Sequence, residues 1–448
     1  MSPIATDTIG QQTMNGIQGK DNRRPVTIAV VGAGQRGQTY ASYALTHPDQ
    51  AKVVAVAEPR PVRRKVTAAA HAIPSDMQFS DWRDLLALGR IADTVFICVM
   101  DQMHAELVKE FSKQGYHIFC EKPMATTVPE CVQMVKDVRQ SDKVFGMGHV
   151  LRYSKYNQAI KDIIDSGAIG EIVNIQHIEP IGDHHFTHSY VRGNWHKESE
   201  TSFSLMTKCC HDIDILSFYL SGKAPKRVSS FGSLFHFKPS QKPAKAGSAT
   251  RCLDCAYEPE CAWSAKKIYL DPFVTKQGNT HWAELATNAE VLDIESVSEM
   301  LKTTNYGKCV YEADNDVVDH QVVNIEYEGG TTASLTMSAF TESQCDRGTK
   351  IHGTKGEIIG DMHTFTVFDF LTRERTLHTP INEGGLHGGA DVAFSRTFVK
   401  AVATGDQDVL GVTPEQVLDS HLLVFAAEKA RLEGTVVDYQ AFKQTAFA

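Results

Sequence analysis

Val26-Thr27-Ile28-Ala29-Val30-Val31-Gly32-Ala33-Gly34-Gln35-Arg36-Gly37 decides the fold. Six apolar or β-branched residues run without alternation, which predicts a strand buried on both faces. They lead straight into Gly-x-Gly-x-x-Gly. A helix is predicted from Gln38 to about Thr46, with Pro48 beyond it as a stop. The glycines have separate tasks. Gly32 permits the tight turn, Gly34 admits a pyrophosphate to the backbone, and Gly37 lets the helix lie close to the strand. Gln35 and Arg36 sit inside this turn, where free N–H groups and the helix dipole favour an anion. A second apolar strand, Val53 to Ala57, ends in Glu58, about 20 residues beyond Gly37. An acid at that distance suits a hydrogen bond to an adenosine ribose.

Strand alternates with helix for the next hundred residues. Arg60, Arg63, Arg64 and Lys65 open a helix reaching about His71. They form either a solvated face or a contact for an adenosine 2′-phosphate, which Glu58 would repel. NAD is therefore the expected cofactor, with NADP as the alternative. The strand Asp93–Val99 ends in Met100-Asp101-Gln102-Met103-His104, at the sheet's carboxyl edge, where open α/β folds bind ligands. The strand Tyr116–Cys120 ends in Glu121-Lys122-Pro123, and Lys143–Gly148 is the last of the series. The pattern predicts a doubly wound parallel Rossmann sheet over residues 25–149.

Beyond Gly148 the periodicity changes. Ile172–Ile178 alternates, and Val323, Ile325 and Tyr327 face Ala333, Leu335 and Met337 across Gly329-Gly330. Residues 150–448 are expected to form an α+β domain around a large, mostly antiparallel sheet. An irregular insertion is expected at about 238–320, and residues 1–24 read as a mobile polar tail.

The chain has 448 residues and a formal charge of −9. Without a basic stripe, nucleic acid is not an expected partner. No apolar run approaches the roughly 20 residues that span a bilayer. Ten cysteines without an apolar leader make a reduced, cytoplasmic setting the expectation.

Gly32-x-Gly34-x-x-Gly37, Glu121-Lys122-Pro123 and His211-Asp212-Ile213-Asp214 together resemble the glucose–fructose oxidoreductase/inositol dehydrogenase/MocA family. Gly167–Ile172, Gly353–Gly356 and Gly388–Asp391 support the resemblance, which covers roughly residues 26–436. The resemblance implies NAD(P)-dependent oxidation or reduction of a sugar or cyclitol by a homodimer or homotetramer. It places Gly32, Gly34, Gln35, Arg36, Gly37, Glu58, Arg60, Met100, His104, Glu121 and Lys122 at the cofactor.

Lys122, beside the nicotinamide, would steady a developing alkoxide. His211 falls at the family's catalytic histidine and would accept the hydroxyl proton. Asp214, three residues on, would orient His211 or satisfy buried donors. Relatives resembling inositol dehydrogenase carry an Asp four residues before that histidine; here the position is Thr207, followed by Lys208. The Lys invites an anionic substrate or pairs with a nearby acid. Arg152, Tyr153 and Trp195 are further substrate candidates, with Trp195 in a His-rich loop that includes His184, His185 and His188. No metal site is expected. Cys252, Cys255 and Cys261 form a weak zinc alternative that lacks a clear fourth ligand.

The expected function is hydride transfer between a secondary hydroxyl of a sugar, cyclitol or glycoside and the nicotinamide. The alternatives are an NAD-dependent glycosidase with transient oxidation of the sugar, and a dinucleotide-sensing regulator.

Overall fold

The computed structural model describes residues 24–447. The expected tail lies outside them except for Arg24, whose guanidinium makes paired 2.7 Å hydrogen bonds to Asp93.

The first sheet contains β1 (Val26–Val31), β2 (Ala51–Ala57), β3 (Gln78–Phe79), β4 (Thr94–Ile97), β5 (His117–Cys120) and β6 (Phe145–Met147). All pairings are parallel, in the order β3-β2-β1-β4-β5-β6. This is the doubly wound order whose switch point lies between β1 and β4. The continuous apolar run of β1 is explained by burial, since Ile28 to Val31 are at most 1% exposed. The helix after the glycine turn is split into Gln35–Ala41 and Tyr43–Thr46 and begins earlier than predicted.

The second sheet has nine strands. They are β7 (Ile172–Pro180), β8 (Pro225–Ser233), β9 (His320–Tyr327), β10 (Thr332–Ser338), β11 (Gly348–Gly353), β12 (Gly356–Gly360), β13 (Phe365–Asp369), β14 (Arg375–His378) and β15 (Val437–Asp438). Their order is β14-β13-β12-β11-β7-β10-β9-β8-β15, antiparallel except where β10 meets β7. The predicted hairpin is β9–β10. One sheet face is covered by helices Ser204–Tyr219 and Pro414–Glu433. On the other, Ile178, Thr336, Val322 and Phe231 form one row across four strands.

The insertion is irregular but has its own small core, with Tyr269, Ala283, Val297 and Leu301 at its centre. Helix Ala390–Thr404 returns to the first domain, where Phe394 and Phe398 pack on Phe119. Among the described residues, no helix is long and apolar enough to cross a membrane.

Candidate active site

The glycine turn has the geometry that a dinucleotide requires. Gly32 has φ +88°, and a Cβ there would lie 2.4 Å from the Cys98 carbonyl oxygen. A Cβ on Gly37 would lie 2.0 Å from the Gly32 oxygen. Gly34 is different, because its nearest neighbours would be guanidinium tips of Arg60 and Arg63 at 3.6 and 3.7 Å. No side chain caps the helix that starts at Gln35, and its first turn holds no acid. Free N–H groups, an open approach at Gly34 and two guanidinium groups fit a pyrophosphate.

Glu58 is 1% exposed. Its carboxylate accepts the Ala33 amide at 2.8 Å and is gripped by Arg60 through Nε at 2.6 Å and Nη2 at 2.9 Å. Burial raises its pKa, but the Arg60 hydrogen bonds and charge and the Ala33 amide outweigh burial and hold it below the ordinary value. The acid therefore ties the end of β2 to the glycine turn, under an arginine clamp that the sequence did not reveal.

Other expected cofactor residues have structural partners. Glu121 accepts Arg36 Nε at 2.7 Å, the Tyr40 hydroxyl at 2.8 Å and the Lys122 amide. Arg36 also pairs with Asp391. His104 is fully buried and spans the Pro123 and Val99 carbonyls at 2.7 and 3.2 Å. Arg36, Glu121 and His104 thus hold the floor of the site together, while Met100 stays half-buried at the carboxyl end of β4.

Lys122 follows β5 by two residues, and its Nζ donates to the Thr207 carbonyl at 2.5 Å. Thr207, Lys208 and His211 lie on the fully packed helix Ser204–Tyr219, 5% exposed or less. This brings the two predicted catalytic residues from opposite domains to one place. The Thr207 hydroxyl is spent on its own helix, at the Phe203 and Ser204 carbonyls.

An ion cage surrounds them that sequence reasoning missed. Arg347 is 1% exposed; its Nε lies 2.7 Å from Asp212 Oδ1 and 2.9 Å from Glu179 Oε2. Its Nη2 reaches His211 Nε2 at 2.8 Å. Lys208 pairs with Glu179 at 3.2 Å and donates to Cys345 Sγ at 3.0 Å. Burial disfavours both cations, yet the surrounding groups prevail and keep their pKa values raised: for Lys208 chiefly Cys345 and Glu179, for Arg347 chiefly Asp212 and Glu179. The one legible signal was periodic: Glu179 continues the inward phase of Ile175 and His177, so a buried acid needed a cation.

Burial pushes the His211 pKa well below its ordinary value. Arg347, Lys122 and His387 act in the same direction, and Asp212 opposes them. The ring is therefore neutral. Its Nδ1 has no hydrogen-bond partner, and Nε2 lies 3.3 Å from Asp212 Oδ2, which also lacks one. The His387 ring stands edge-on at 5.7 Å and is held by Asp391. His185 is also kept neutral, mainly by burial and then by Lys208, and its Nδ1 lies 3.4 Å from Cys345 Sγ.

Two expected roles change with the geometry, those of Arg152 and Tyr153, while Asp214 takes the second of its two expected roles and satisfies buried donors. Asp214 serves Arg152, through 2.6 and 2.8 Å bonds, and His149; it does not orient His211. Asp212 takes that place. Arg152 is thereby committed to the interior, and the Tyr153 hydroxyl donates to the Leu410 carbonyl, so neither lines the reaction centre. Trp195 is half-buried, and its indole N–H donates to Asp101 across the domain boundary at 3.1 Å.

Among the described residues, one group of three metal-type ligand atoms lies within 4.8 Å, that of His149, Cys210 and His421. His421 accepts the Met124 amide at Nε2 and meets the Val417 carbonyl at Nδ1, so both its nitrogens are used. Cys252, Cys255 and Cys261 do not converge in this way; Cys252 Sγ accepts from Ala265 and Arg192.

A family model described as an oxidoreductase family with an NAD-binding Rossmann fold matches residues 26–149. A second, described as the oxidoreductase family's C-terminal alpha/beta domain, matches residues 161–438. The chain belongs to the Gfo/Idh/MocA oxidoreductase family. The six-stranded and nine-stranded sheets are the two domains of that family. This Gfo/Idh/MocA chain is 23% identical over 319 residues to a putative oxidoreductase, YteT, of Bacillus subtilis, covering 67% of this chain and 70% of that one. It is 31% identical over 212 residues to inositol 2-dehydrogenase of Rhizobium meliloti, covering 46% and 58%. It is 29% identical over 217 residues to 2,7-anhydro-N-acetylneuraminate hydratase of Escherichia coli, covering 48% and 55%. The chain thus spans little more than half the length of these last two. In fold it is similar to levoglucosan dehydrogenase in complex with NADH, with a TM-score of 0.68 and 17% identity over 93% of this chain and 99% of that one.

Proposed function

We propose that this Gfo/Idh/MocA protein oxidises a secondary hydroxyl of a neutral sugar, cyclitol or glycoside. The observation that carries this reading is the meeting of Lys122 with the Thr207–His211 segment inside a charge-balanced cage. NAD, when bound, supplies the hydride acceptor. Lys122 holds the substrate hydroxyl and stabilises negative charge as it develops on that oxygen. His211 accepts the proton at Nδ1 while Nε2–H turns toward Asp212 Oδ2. Asp212 remains ionised, since Arg347 and the His177 hydrogen bond outweigh burial and hold its pKa well below the ordinary value. That carboxylate then stabilises the imidazolium. Arg347 Nη2 can only donate, so this tautomer requires it to release Nε2, which restrains the step.

Lys208 and Arg347 are matched by Glu179 and Asp212, so Lys208 is a cage member and an uncharged polyol is favoured over an anionic substrate. Relatives named for inositol and levoglucosan oxidation support this class. One relative is named a hydratase, which favours carrying redox-assisted glycoside cleavage as the second reading. The discriminating experiment supplies NAD with a panel of sugars, cyclitols and glycosides, and follows NADH and glycoside cleavage in parallel. NADH formed in step with product supports the first reading; cleavage without NADH supports the second; neither, with cofactor bound, overturns both.

The ten cysteines are free thiols, consistent with the proposed cytoplasmic setting. The row Ile178–Thr336–Val322–Phe231, apolar except at Thr336, favours assembly of identical chains through the uncovered sheet face.

A further inference from the structure

The insertion has its own small core, yet one of its short helices, His281–Ala286, bridges both halves of the site. His281 Nε2 lies 3.3 Å from Gln35 Nε2, inside the glycine turn. Four residues on, the Leu285 carbonyl accepts Arg63 Nη2 at 3.0 Å. Arg63 is one of the two guanidinium groups beside Gly34, so it joins the pyrophosphate approach to the insertion.

The next residue, Trp282, turns the other way. Its ring lies 4.7 Å from His188 and 5.4 Å from His185. His185 contacts Cys345, which contacts Lys208, next to the residue whose carbonyl receives Lys122. His188 is fixed by the Tyr269 hydroxyl at 3.0 Å and stacks on Tyr306, both from the insertion. Neighbouring residues on one helix therefore touch the dinucleotide turn and the substrate-side histidines. The outer ion pair Lys65–Glu290, at 3.6 Å and exposed on both sides, adds little.

We infer that the insertion is a clasp over the dinucleotide, with His281 as a cofactor-contacting residue and Trp282 as its hinge pin against the substrate loop. A dinucleotide lying along Gly34 and Gln35 passes beneath His281 and leaves only when that segment lifts. His281 presents an imidazole to the same anion that Arg63 faces. The inference does not depend on which hydroxyl is oxidised.

The test is the release rate of NADH from the full-length protein, read from the fall in NADH fluorescence on mixing with excess NAD. His281→Ala removes a half-buried side chain, and Trp282→Leu removes the ring contacts while keeping an apolar side chain. Loss of one such contact speeds release about tenfold. Hydrogen exchange of peptides spanning residues 277–290 is expected to slow when NADH binds. Unchanged release in both variants, or no cofactor-dependent protection of that segment, overturns the clasp while leaving cofactor binding intact. Failure of the unmodified protein to bind NADH overturns the clasp and the cofactor assignment together.

Discussion

Lys122 donates to the main-chain carbonyl of Thr207 across 2.5 Å, so a residue two positions beyond a Rossmann strand is bonded to a helix of the other domain. An ammonium with a single carbonyl partner has donors to spare. It can hold a substrate oxygen without first breaking an ion pair. Lys122→Ala is expected to lower kcat by about 10²–10⁴-fold, with NADH affinity within a few-fold of normal. Steady-state rates and a fluorescence titration check this, and near-normal turnover would remove Lys122 from the reaction.

His211 is neutral because burial and the neighbouring cations disfavour its protonated form. A base with a lowered pKa stays competent as pH falls through 6.5, and its activity declines only below that. His211→Ala is expected to cost about 10²–10⁴-fold and to abolish the acid limb of the rate profile. Asp212→Asn is expected to lower kcat more than it changes KM, because the imidazolium loses its stabilising carboxylate. An unaltered pH profile in His211→Ala would shift the proton acceptor to His185, another neutral imidazole of the pocket.

Glu58 and Arg60 grip each other beside the glycine turn. Glu58→Ala frees the Arg60 guanidinium and is expected to shift the NADPH-to-NADH affinity ratio toward NADPH by about tenfold. Arg60→Ala is expected to leave NADH preferred. Dissociation constants for both cofactors on each variant decide the matter, and a constant ratio would take Glu58 out of cofactor selection.

Acid should unfold the protein in two stages. Burial, then His149, lowers the His421 pKa to about 3, and burial with nearby Arg90 and Lys143 lowers that of His117 to about 4. The unfolded chain binds these protons more readily, so stability is full above about pH 6.5 and declines as pH falls toward those values. Asp391 follows at lower pH. Burial opposes its ionisation, but Arg36 and His387 bring its pKa down to about 2. Its contribution is present above about pH 4 and lost between about 4 and 2. Urea midpoints against pH should show both stages, and His421→Gln should flatten the first.

The Rossmann half was legible because its signals are local. The continuous run of β1, the three glycines and Lys122 at a strand end are each readable within a dozen residues. The cage was not. Arg347 and His211 are 136 residues apart in sequence, and neither neighbourhood signals the other. Asp212 and Asp214 illustrate the same limit at short range, since both sit on one buried helix and only the packing partners decide which serves His211. Arg152 looked like a cleft residue because it follows the last strand, yet an arginine near a buried aspartate is drawn inward. The insertion gave only its irregularity, because its small core is assembled from segments up to about fifty residues apart.

Helix Ala390–Thr404 has a consequence for how the chain is made. Phe394 and Phe398 meet Phe96 and Phe119 from the first sheet, and a Cβ on Gly146 would come within 2.6 Å of Phe398. The dinucleotide module therefore emerges from the ribosome with one apolar flank bare, and stays so until some 250 further residues have been synthesised. Expressed on its own, it would be a sticky half-product and not an autonomous cofactor-binding unit.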